Sequence, residues 1–176
     1  MDRKIGSTWG YTSDMTVSNP ASAIGMLTDI VSKNGTLLLN LSPMKDGTIP
    51  QEQQETLLGV GKWLSVNGDA IYDTHNWTKY GEDGPGKLRI RFTVKGDSLY
   101  AIIVGRWPGA ELNIASLAQG QAPEGKIVSV TMLGATEALS FKQSADGLKV
   151  RLPATPPCDI AYTLKITGLK ENFHAK

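Results

Sequence analysis

The sequence is poor in the residues that build metal centres and covalent cross-links. Its 176 residues include one cysteine, Cys158, and two histidines, His75 and His174. A single thiol excludes an internal disulfide, and two histidines are too few for a histidine-rich zinc site. No P-loop, GxGxxG, HExxH or CxxC pattern occurs. We therefore expect no metal ion and no organic cofactor.

Excess charge and long apolar runs are also missing. Lys and Arg number 18 and Asp and Glu 17, so the net charge is +1 and the basic footprint of a nucleic-acid-binding protein is absent. No run approaches the roughly 20 apolar residues of a membrane-spanning helix. The basic residues near Met1 precede no apolar segment, so we expect no signal peptide and a cytoplasmic location by default. The chain is shorter than the roughly 200 residues that a complete eightfold β/α barrel needs.

The first half of the chain has the pattern helix, strand, helix. Asn19 and Pro20 are typical of a helix start, and Asn34 with Gly35 is typical of its end. The apolar run TLLLNL at residues 36–41 predicts a short strand buried on both faces. A second helix is expected from Pro50 to the Asn-Gly pair at residues 67–68.

The second half changes to the alternating pattern of strands. Apolar and polar residues alternate around residues 88–104, 127–133, 148–152 and 162–166, which predicts a small antiparallel β-sandwich. Arg89 and Arg91 are expected on the solvent side of the first of these strands. The glycine-rich stretch at residues 80–86 is interpreted as a linker. We therefore predict an α+β chain, with a helix–strand–helix unit at residues 1–80 and the sandwich at residues 81–176.

A series of motifs in the first half resembles the α-L-fucosidases of glycoside hydrolase family 29. These motifs are WGY at residues 9–11, DIVSKNGTLLLN at 29–40, Pro43, DGTIP at 46–50 and GKWLSVNGDAIY at 61–72. In that family they belong to the last barrel strand, its flanking helices and the exit toward a C-terminal β-sandwich. The resemblance covers roughly residues 5–168 and implies that the first half is the end of a (β/α) barrel.

The resemblance implies a retaining hydrolase that removes terminal α-L-fucose, with fucosylated oligosaccharides or glycoconjugates as its partners. Retention uses a nucleophilic carboxylate and a general acid/base about 5 Å apart. In the family the nucleophile is an aspartate on an earlier barrel strand, and the acid/base is usually a glutamate shortly before the WGY motif. No residue of this sequence matches either, so we expect a compact or truncated form without the family's usual pair.

Three carboxylates are candidates for the chemistry: Asp2, Asp14 and Asp46. Barrel enzymes place their reacting groups at the carboxyl ends of the strands, and Asp14 and Asp46 follow segments that lead there. Asp2 lies nearest the position of the missing acid/base. The alternative is structural, with Asp46 in a turn and Asp14 in a solvated loop.

Substrate contacts are expected from Trp9, Tyr11 and Leu37. The two aromatic rings can stack on a sugar or pack at the exit from strand to helix. By resemblance, Leu37 contacts the methyl group of fucose, and its alternative is ordinary core packing. Glu52 and Glu55 are interpreted as charges that favour a helix start.

Three functions remain open from the sequence. The chain is a compact fucosidase that rebuilds its cleft as a homo-oligomer, a non-catalytic carbohydrate-binding or structural module, or a fragment of a longer gene product. Self-association is expected because the apolar strand at residues 36–41 lacks enough partners within one chain.

Overall fold

The computed structural model describes residues 1–122 and 124–169, so His174 lies outside the described residues. This part of the chain combines two helices with one parallel and two antiparallel sheets, which confirms the α+β class. The elements are β1 (Asp2–Lys4), α1 (Pro20–Ser32), β2 (Leu38–Asn40), α2 (Gln51–Asn67), β3 (His75–Asp83), β4 (Arg89–Lys95), β5 (Ser98–Val104), β6 (Glu111–Ile114), β7 (Gly125–Met132), β8 (Phe141–Ser144), β9 (Gly147–Arg151) and β10 (Tyr162–Leu169).

Both predicted helices form, and local chemistry sets the bounds of α1. The Asn19 side chain accepts a hydrogen bond from the Ser22 N–H at 2.9 Å, and Pro20 occupies the first helical position. After α1 the chain turns at Asn34, whose φ of 60° lies in the left-handed region that asparagine tolerates. The helix therefore begins and ends where the sequence indicates.

The first sheet consists of β1 and β2, which run parallel as direct neighbours, and α1 lies between them in the sequence. Asp2 lies opposite Leu38, and Lys4 lies opposite Asn40. A parallel pair needs a long crossover, and α1 supplies it. The prediction of a strand buried on both faces is wrong, because Leu38 is 60% exposed. Within the described residues β1 alone pairs with this strand, so one edge of β2 and one face of the sheet remain open.

The second half forms the predicted sandwich of two antiparallel sheets. One has the order β3-β4-β5-β10-β7 and the other the order β6-β9-β8. Side chains from both sheets fill the space between them, for example Phe92 and Leu164 from the larger sheet and Val150 from the smaller. Strand β3 was not predicted from the sequence, and it runs into the expected linker at residues 80–86. The division of the chain at residue 80 remains a prediction.

The two helices pack on the outer face of the five-stranded sheet. Ile24 of α1 and Trp63 of α2 share one buried cluster with Tyr100 and Ile102 of β5. The Trp63 indole also donates a hydrogen bond to the Ala161 carbonyl, just before β10, at 3.1 Å. Helices and sandwich are therefore joined by a common hydrophobic layer.

An ion pair ties α1 to the same sheet. The Arg91 guanidinium contacts the Asp29 carboxylate at 2.8 Å, and Lys33 binds the other oxygen of that carboxylate at 2.7 Å. Burial raises the pKa of Asp29, but the hydrogen bonds from Lys33 and Arg91 outweigh it and leave the pKa below its usual value. The prediction that Arg91 faces solvent is wrong, because α1 covers that side of β4 and leaves Arg91 8% exposed.

A second polar cluster ties the end of α2 to the sheet. Asp69 accepts a hydrogen bond from the Tyr100 hydroxyl at 2.6 Å and forms ion pairs with Lys165 at 3.1 Å and Lys95 at 3.2 Å. The Tyr100 hydrogen bond, with smaller contributions from the two lysines, lowers the pKa of Asp69 to about 2, although burial opposes the shift. Asp69 is therefore a charged anchor between α2 and three strands.

We predict that Trp63→Phe lowers the free energy of unfolding by about 2 kcal/mol. The change removes the indole hydrogen bond and leaves a small void in the layer between helices and sheet. Urea unfolding followed by circular dichroism measures the difference. Leu58→Ala on the same helix is the control, because Leu58 is 72% exposed and we expect its loss to change stability little. An unaltered midpoint for Trp63→Phe would show that the helical layer is held by other contacts.

We predict that Asp69 makes the protein more stable above pH 4 than below it. A carboxylate whose pKa falls on folding contributes stability above its unfolded pKa and loses it as the pH drops toward the folded value. For Asp69 that interval runs from 3.8 to about 2. Asp69→Asn should cost about 1 kcal/mol at neutral pH, since solvent screens the half-exposed pairs, and flatten the acid limb of melting temperature against pH. Asp97→Asn, in an exposed turn, should leave the profile unchanged.

Candidate functional site

The candidate site lies where the chain leaves the carboxyl ends of β1 and β2. The loop after β1 is closed at its base, because the Ser7 N–H donates to the Thr16 carbonyl and the Ser18 N–H to the Ile5 carbonyl, both at 2.8 Å. Trp9, Tyr11 and Asp14 therefore lie on a fixed loop, with the exposed Asp14 inside a tight turn. Loops at this end of parallel strands carry the chemistry of barrel enzymes.

Two polar side chains hold the backbone of Trp9 at this end of the sheet. The Trp9 carbonyl accepts a hydrogen bond from the Asn40 amide at 2.9 Å and from the Ser42 hydroxyl at 3.2 Å. Asn40 is the last residue of β2, so the hydrogen bond sets the height of Trp9 above the strand. The Trp9 residue remains 57% exposed, which leaves ring surface available for a ligand.

A buried glutamine fixes Ser42 in turn. Gln53 in the first turn of α2 is fully buried, accepts from the Ser42 N–H at 2.9 Å and donates to the Ser42 carbonyl at 3.1 Å. The paired bonds resemble one rung of a sheet and satisfy a backbone segment that leaves regular structure. The polar chain from Gln53 through Ser42 to Trp9 links helix α2 to the loop after β1.

Tyr11 lines a cleft between the loop after β1 and the start of α2. The cleft has a volume of about 520 Å³, and Met44 from the loop after β2 also borders it. Glu52 and Glu55, which the sequence analysis assigned to the helix start, line the same cleft. Glu55 accepts a hydrogen bond from the Gln51 amide at 2.8 Å. The fold thus places two carboxylates beside Tyr11.

Asp46 closes the turn after β2. Its Oδ1 atom accepts hydrogen bonds from the Thr48 N–H at 3.0 Å and the Thr48 hydroxyl at 2.7 Å. These bonds, the backbone one foremost, lower the pKa of Asp46 below its usual value. A lowered pKa keeps the carboxylate ionised, which suits a nucleophile and opposes a role as general acid.

Asp2 and Leu37 lie at the other end of the parallel sheet. Asp2 opens β1, and Leu37 immediately precedes β2, whereas the Trp9 contact is made at Asn40. Three residues along a strand correspond to about 10 Å. Within one chain the fold therefore gathers Trp9, Tyr11, Asp14 and Asp46 at one end and leaves Asp2 and Leu37 at the other.

Asn40, Ser42 and Gln53 were not identified from the sequence. The sequence holds a signal for two of them, since Asn40 interrupts the apolar run TLLLNL and Gln53 falls on the buried side of α2. Both are polar residues at positions where the pattern asks for apolar ones. Such a conflict between residue type and burial often marks a hydrogen-bonded functional position.

The described part of the chain lacks both a cluster of metal ligands and a membrane-spanning helix. Residues 1–122 and 124–169 contain no group of three His, Cys, Asp or Glu side chains able to hold a metal ion. No helix in these residues is long and apolar enough to span a bilayer.

Comparison with known protein families matches both halves of the chain. The alpha-L-fucosidase family model matches residues 1–69, and the model of the alpha-L-fucosidase C-terminal domain matches residues 87–167. The first model spans β1 to α2, and the second spans β4 to all but the end of β10.

Individual relatives agree with the family models. Tissue alpha-L-fucosidase of Bos taurus is 42% identical over 171 residues, covering 92% of this chain and 35% of the relative. The Homo sapiens enzyme is 38% identical with the same coverage. The chain therefore spans about a third of the length of the curated relatives it matches.

Solved structures show the same fold. The Thermotoga maritima alpha-fucosidase in complex with fucose superimposes with a TM-score of 0.83 at 33% identity, covering 94% of this chain and 39% of that one. An alpha-L-fucosidase isoenzyme from Paenibacillus thiaminolyticus superimposes with a TM-score of 0.79 at 26% identity. With both family models, its relatives and its fold in agreement, the chain belongs to the α-L-fucosidase family.

Proposed function

We propose that the chain acts on terminal α-L-fucosides of glycans, with the sugar held at the carboxyl ends of β1 and β2. The observation that carries the proposal is the fixed and exposed position of Trp9 above Asn40. An aromatic face packs against the C–H face of a pyranose, while polar groups nearby bind its hydroxyls. The related Thermotoga maritima structure is a complex with fucose, which supports a sugar of this kind.

The proposed reaction is hydrolysis with retention of configuration. A carboxylate attacks the anomeric carbon, the glycosidic oxygen leaves with a proton from a second carboxyl group, and water then releases the sugar from the first. Asp46 suits the nucleophile because its hydrogen bonds from Thr48 favour the ionised form. Asp14, at the same end of the sheet, is the general acid of first choice.

We further propose that a second copy of the chain completes the site. In β1, Asp2 pairs in register with Leu38, so the two side chains point to the same face of the sheet. Association of two such faces about a twofold axis would bury Leu38 and carry Asp2 of one copy toward the Trp9 end of the other. The separation of Asp2 from Trp9 within one chain is then an argument for the dimer.

A non-catalytic carbohydrate-binding module is the second candidate. It is favoured by the way Asp46 is used, since one of its oxygens already accepts two hydrogen bonds from Thr48 within the turn. In that case the aromatic loop would bind fucose without cleaving its glycosides. Catalytic turnover distinguishes the two candidate functions, because fucose binding is expected from both.

We predict that the purified chain hydrolyses 4-nitrophenyl α-L-fucoside and releases α-fucose first, as seen by proton NMR of the fresh product. Trp9→Ala should lower kcat/KM about tenfold or more, since it removes the stacking surface. Asp46→Asn and Asp14→Asn should each lower kcat at least a thousandfold if they are the reacting pair. The same assay is run on Asp2→Asn, Glu52→Gln and Glu55→Gln, which remove the other three carboxylates discussed for this site one at a time.

Asp97→Asn controls for loss of a carboxylate away from the site, and a mock purification controls for host fucosidase. Calorimetric titration with L-fucose is run on the same samples. Fucose binding without turnover would favour the non-catalytic binding module over the enzyme. Absence of both turnover and binding would overturn the proposed function.

We predict that the chain is a dimer or larger oligomer at micromolar concentration by light scattering. Leu38→Lys should shift it toward the monomer, because a charge at the centre of an apolar interface opposes burial. Leu58→Lys is the matched control on α2, where the leucine is even more exposed than Leu38. A monomeric mass for the unaltered protein would exclude the dimer.

A further inference from the structure

A second cavity lies at the rim of the sandwich, away from the β1–β2 loops. It has a volume of about 540 Å³, within the range of small-molecule sites. We call it the Trp107 pocket and define it by Asp83, Leu88, Arg106, Trp107, Glu111 and Asn113. The end of β3, the connections from β3 to β4 and from β5 to β6, and β6 itself supply these residues, so both sheets contribute.

A partly buried carboxylate fixes the back of the Trp107 pocket. Glu82 of β3 accepts hydrogen bonds from the Ala115 N–H at 2.9 Å and the Ser116 N–H at 2.8 Å, and it also binds the Ser116 hydroxyl. These hydrogen bonds connect the larger sheet to the turn that follows β6. The pocket wall is therefore held rigid before any ligand arrives, which lowers the entropic cost of binding.

Trp107 is anchored at one edge and open on the pocket side. Its ring meets the Tyr162 ring edge-on, with centroids 4.6 Å apart and planes at 76°. The contact fixes the indole against β10, while the residue remains only partly buried. A fixed, partly exposed indole is a flat apolar platform of the kind that sugars stack upon.

Charged groups surround this platform with their bonding capacity unused. Within residues 1–122 and 124–169, the side chains of Asp83, Arg106 and Glu111 make no hydrogen bond or ion pair to the protein. Asn113 donates to the Asp146 carbonyl at 3.1 Å, which orients its amide at the pocket margin. Two free carboxylates and one guanidinium can thus serve the vicinal hydroxyls of a sugar.

From this combination we infer that the Trp107 pocket is a binding site for a neutral pyranose of a glycan chain, separate from the fucoside site. The free charges sum to −1, from two carboxylates and one guanidinium, so an acidic sugar is disfavoured there. The site is assembled within one chain and needs neither the second copy nor the catalytic carboxylates. It would tether a glycan whether or not the chain hydrolyses it.

Lactose tests the inference, because it is a neutral disaccharide without fucose. We expect lactose to shift the indole N–H signal of Trp107 in nitrogen-15 NMR spectra of the full chain, with a dissociation constant in the low millimolar range. Loss of one signal in Trp107→Phe assigns it. Glu111→Gln and Arg106→Met should each weaken binding about fivefold, since each removes a charged hydrogen-bonding partner.

Matched controls change the same charge elsewhere on the sandwich. Asp97→Asn and Lys142→Met, both at exposed positions, should bind lactose as the unaltered protein does. Trp9→Ala should also leave lactose binding intact, which separates a failure at this pocket from a failure of the proposed function. Glu111→Gln and Arg106→Met keep the test valid even if Trp107→Phe does not fold.

The absence of any Trp107 signal shift up to about 50 mM lactose would overturn the inference, because binding weaker than that makes no useful site. Lactose binding that is unchanged in both Glu111→Gln and Arg106→Met would also overturn it. So would the loss of lactose binding in Trp9→Ala. Equal affinity for 3′-sialyllactose would overturn the preference for a neutral sugar.

Discussion

The contact of Trp63 with the outer face of the five-stranded sheet is the constraint on which the rest of the molecule depends. The indole is buried in the layer shared by both helices, and its N–H satisfies the Ala161 carbonyl beside β10. A helix held in this way has a fixed height and rotation relative to the sheet. The small parallel sheet of β1 and β2 is tied to α2 through hydrogen bonds between Gln53 and Ser42 and from Thr56 to Ser18, so the sandwich indirectly sets its position.

One face of α2 carries this constraint from the sandwich to the candidate site. Its buried residues are Gln53, Thr56, Trp63 and Asn67, which recur at helical spacing. Trp63 faces the sheet, and Gln53, about 15 Å nearer the amino end of the helix, holds Ser42. Thr56 donates to the Ser18 carbonyl at 2.8 Å and so fixes the entry to α1. A rigid helix thus relates the loop that presents Trp9 to a distant hydrophobic core.

The sequence predicted what local chemistry determines and missed what packing between distant elements determines. The cap at Asn19, both helices and the alternating strands of the sandwich follow from short-range patterns, and all appear in the structure. Arg91 looked solvent-facing because alternation reveals two faces of a strand but not what covers each. The run at residues 36–41 looked fully buried because its composition suits a larger parallel sheet than the described residues contain.

The candidate site was predicted in the same uneven way. Trp9 and Tyr11 were predicted because aromatic residues stand out in a motif, and the fold places both on the loop after β1. Asn40, Ser42 and Gln53 were not predicted because each acts through a backbone group. A polar residue at an apolar position marks Asn40 and Gln53 as unusual but does not identify that group. The position of Asp2 relative to Trp9 depends on strand register, which residue types alone do not specify.

The two proposed carbohydrate sites differ in what they require from the fold. The fucoside site lies on a two-stranded sheet whose open edge and exposed Leu38 call for a further partner. The Trp107 pocket is closed by the hydrogen bonds from the turn after β6 to Glu82, and it is complete in a single copy. Association would therefore govern catalysis while leaving glycan capture untouched. Since a captured glycan raises the local concentration of its other sugars, the second site would matter most when the first is weak or incompletely assembled.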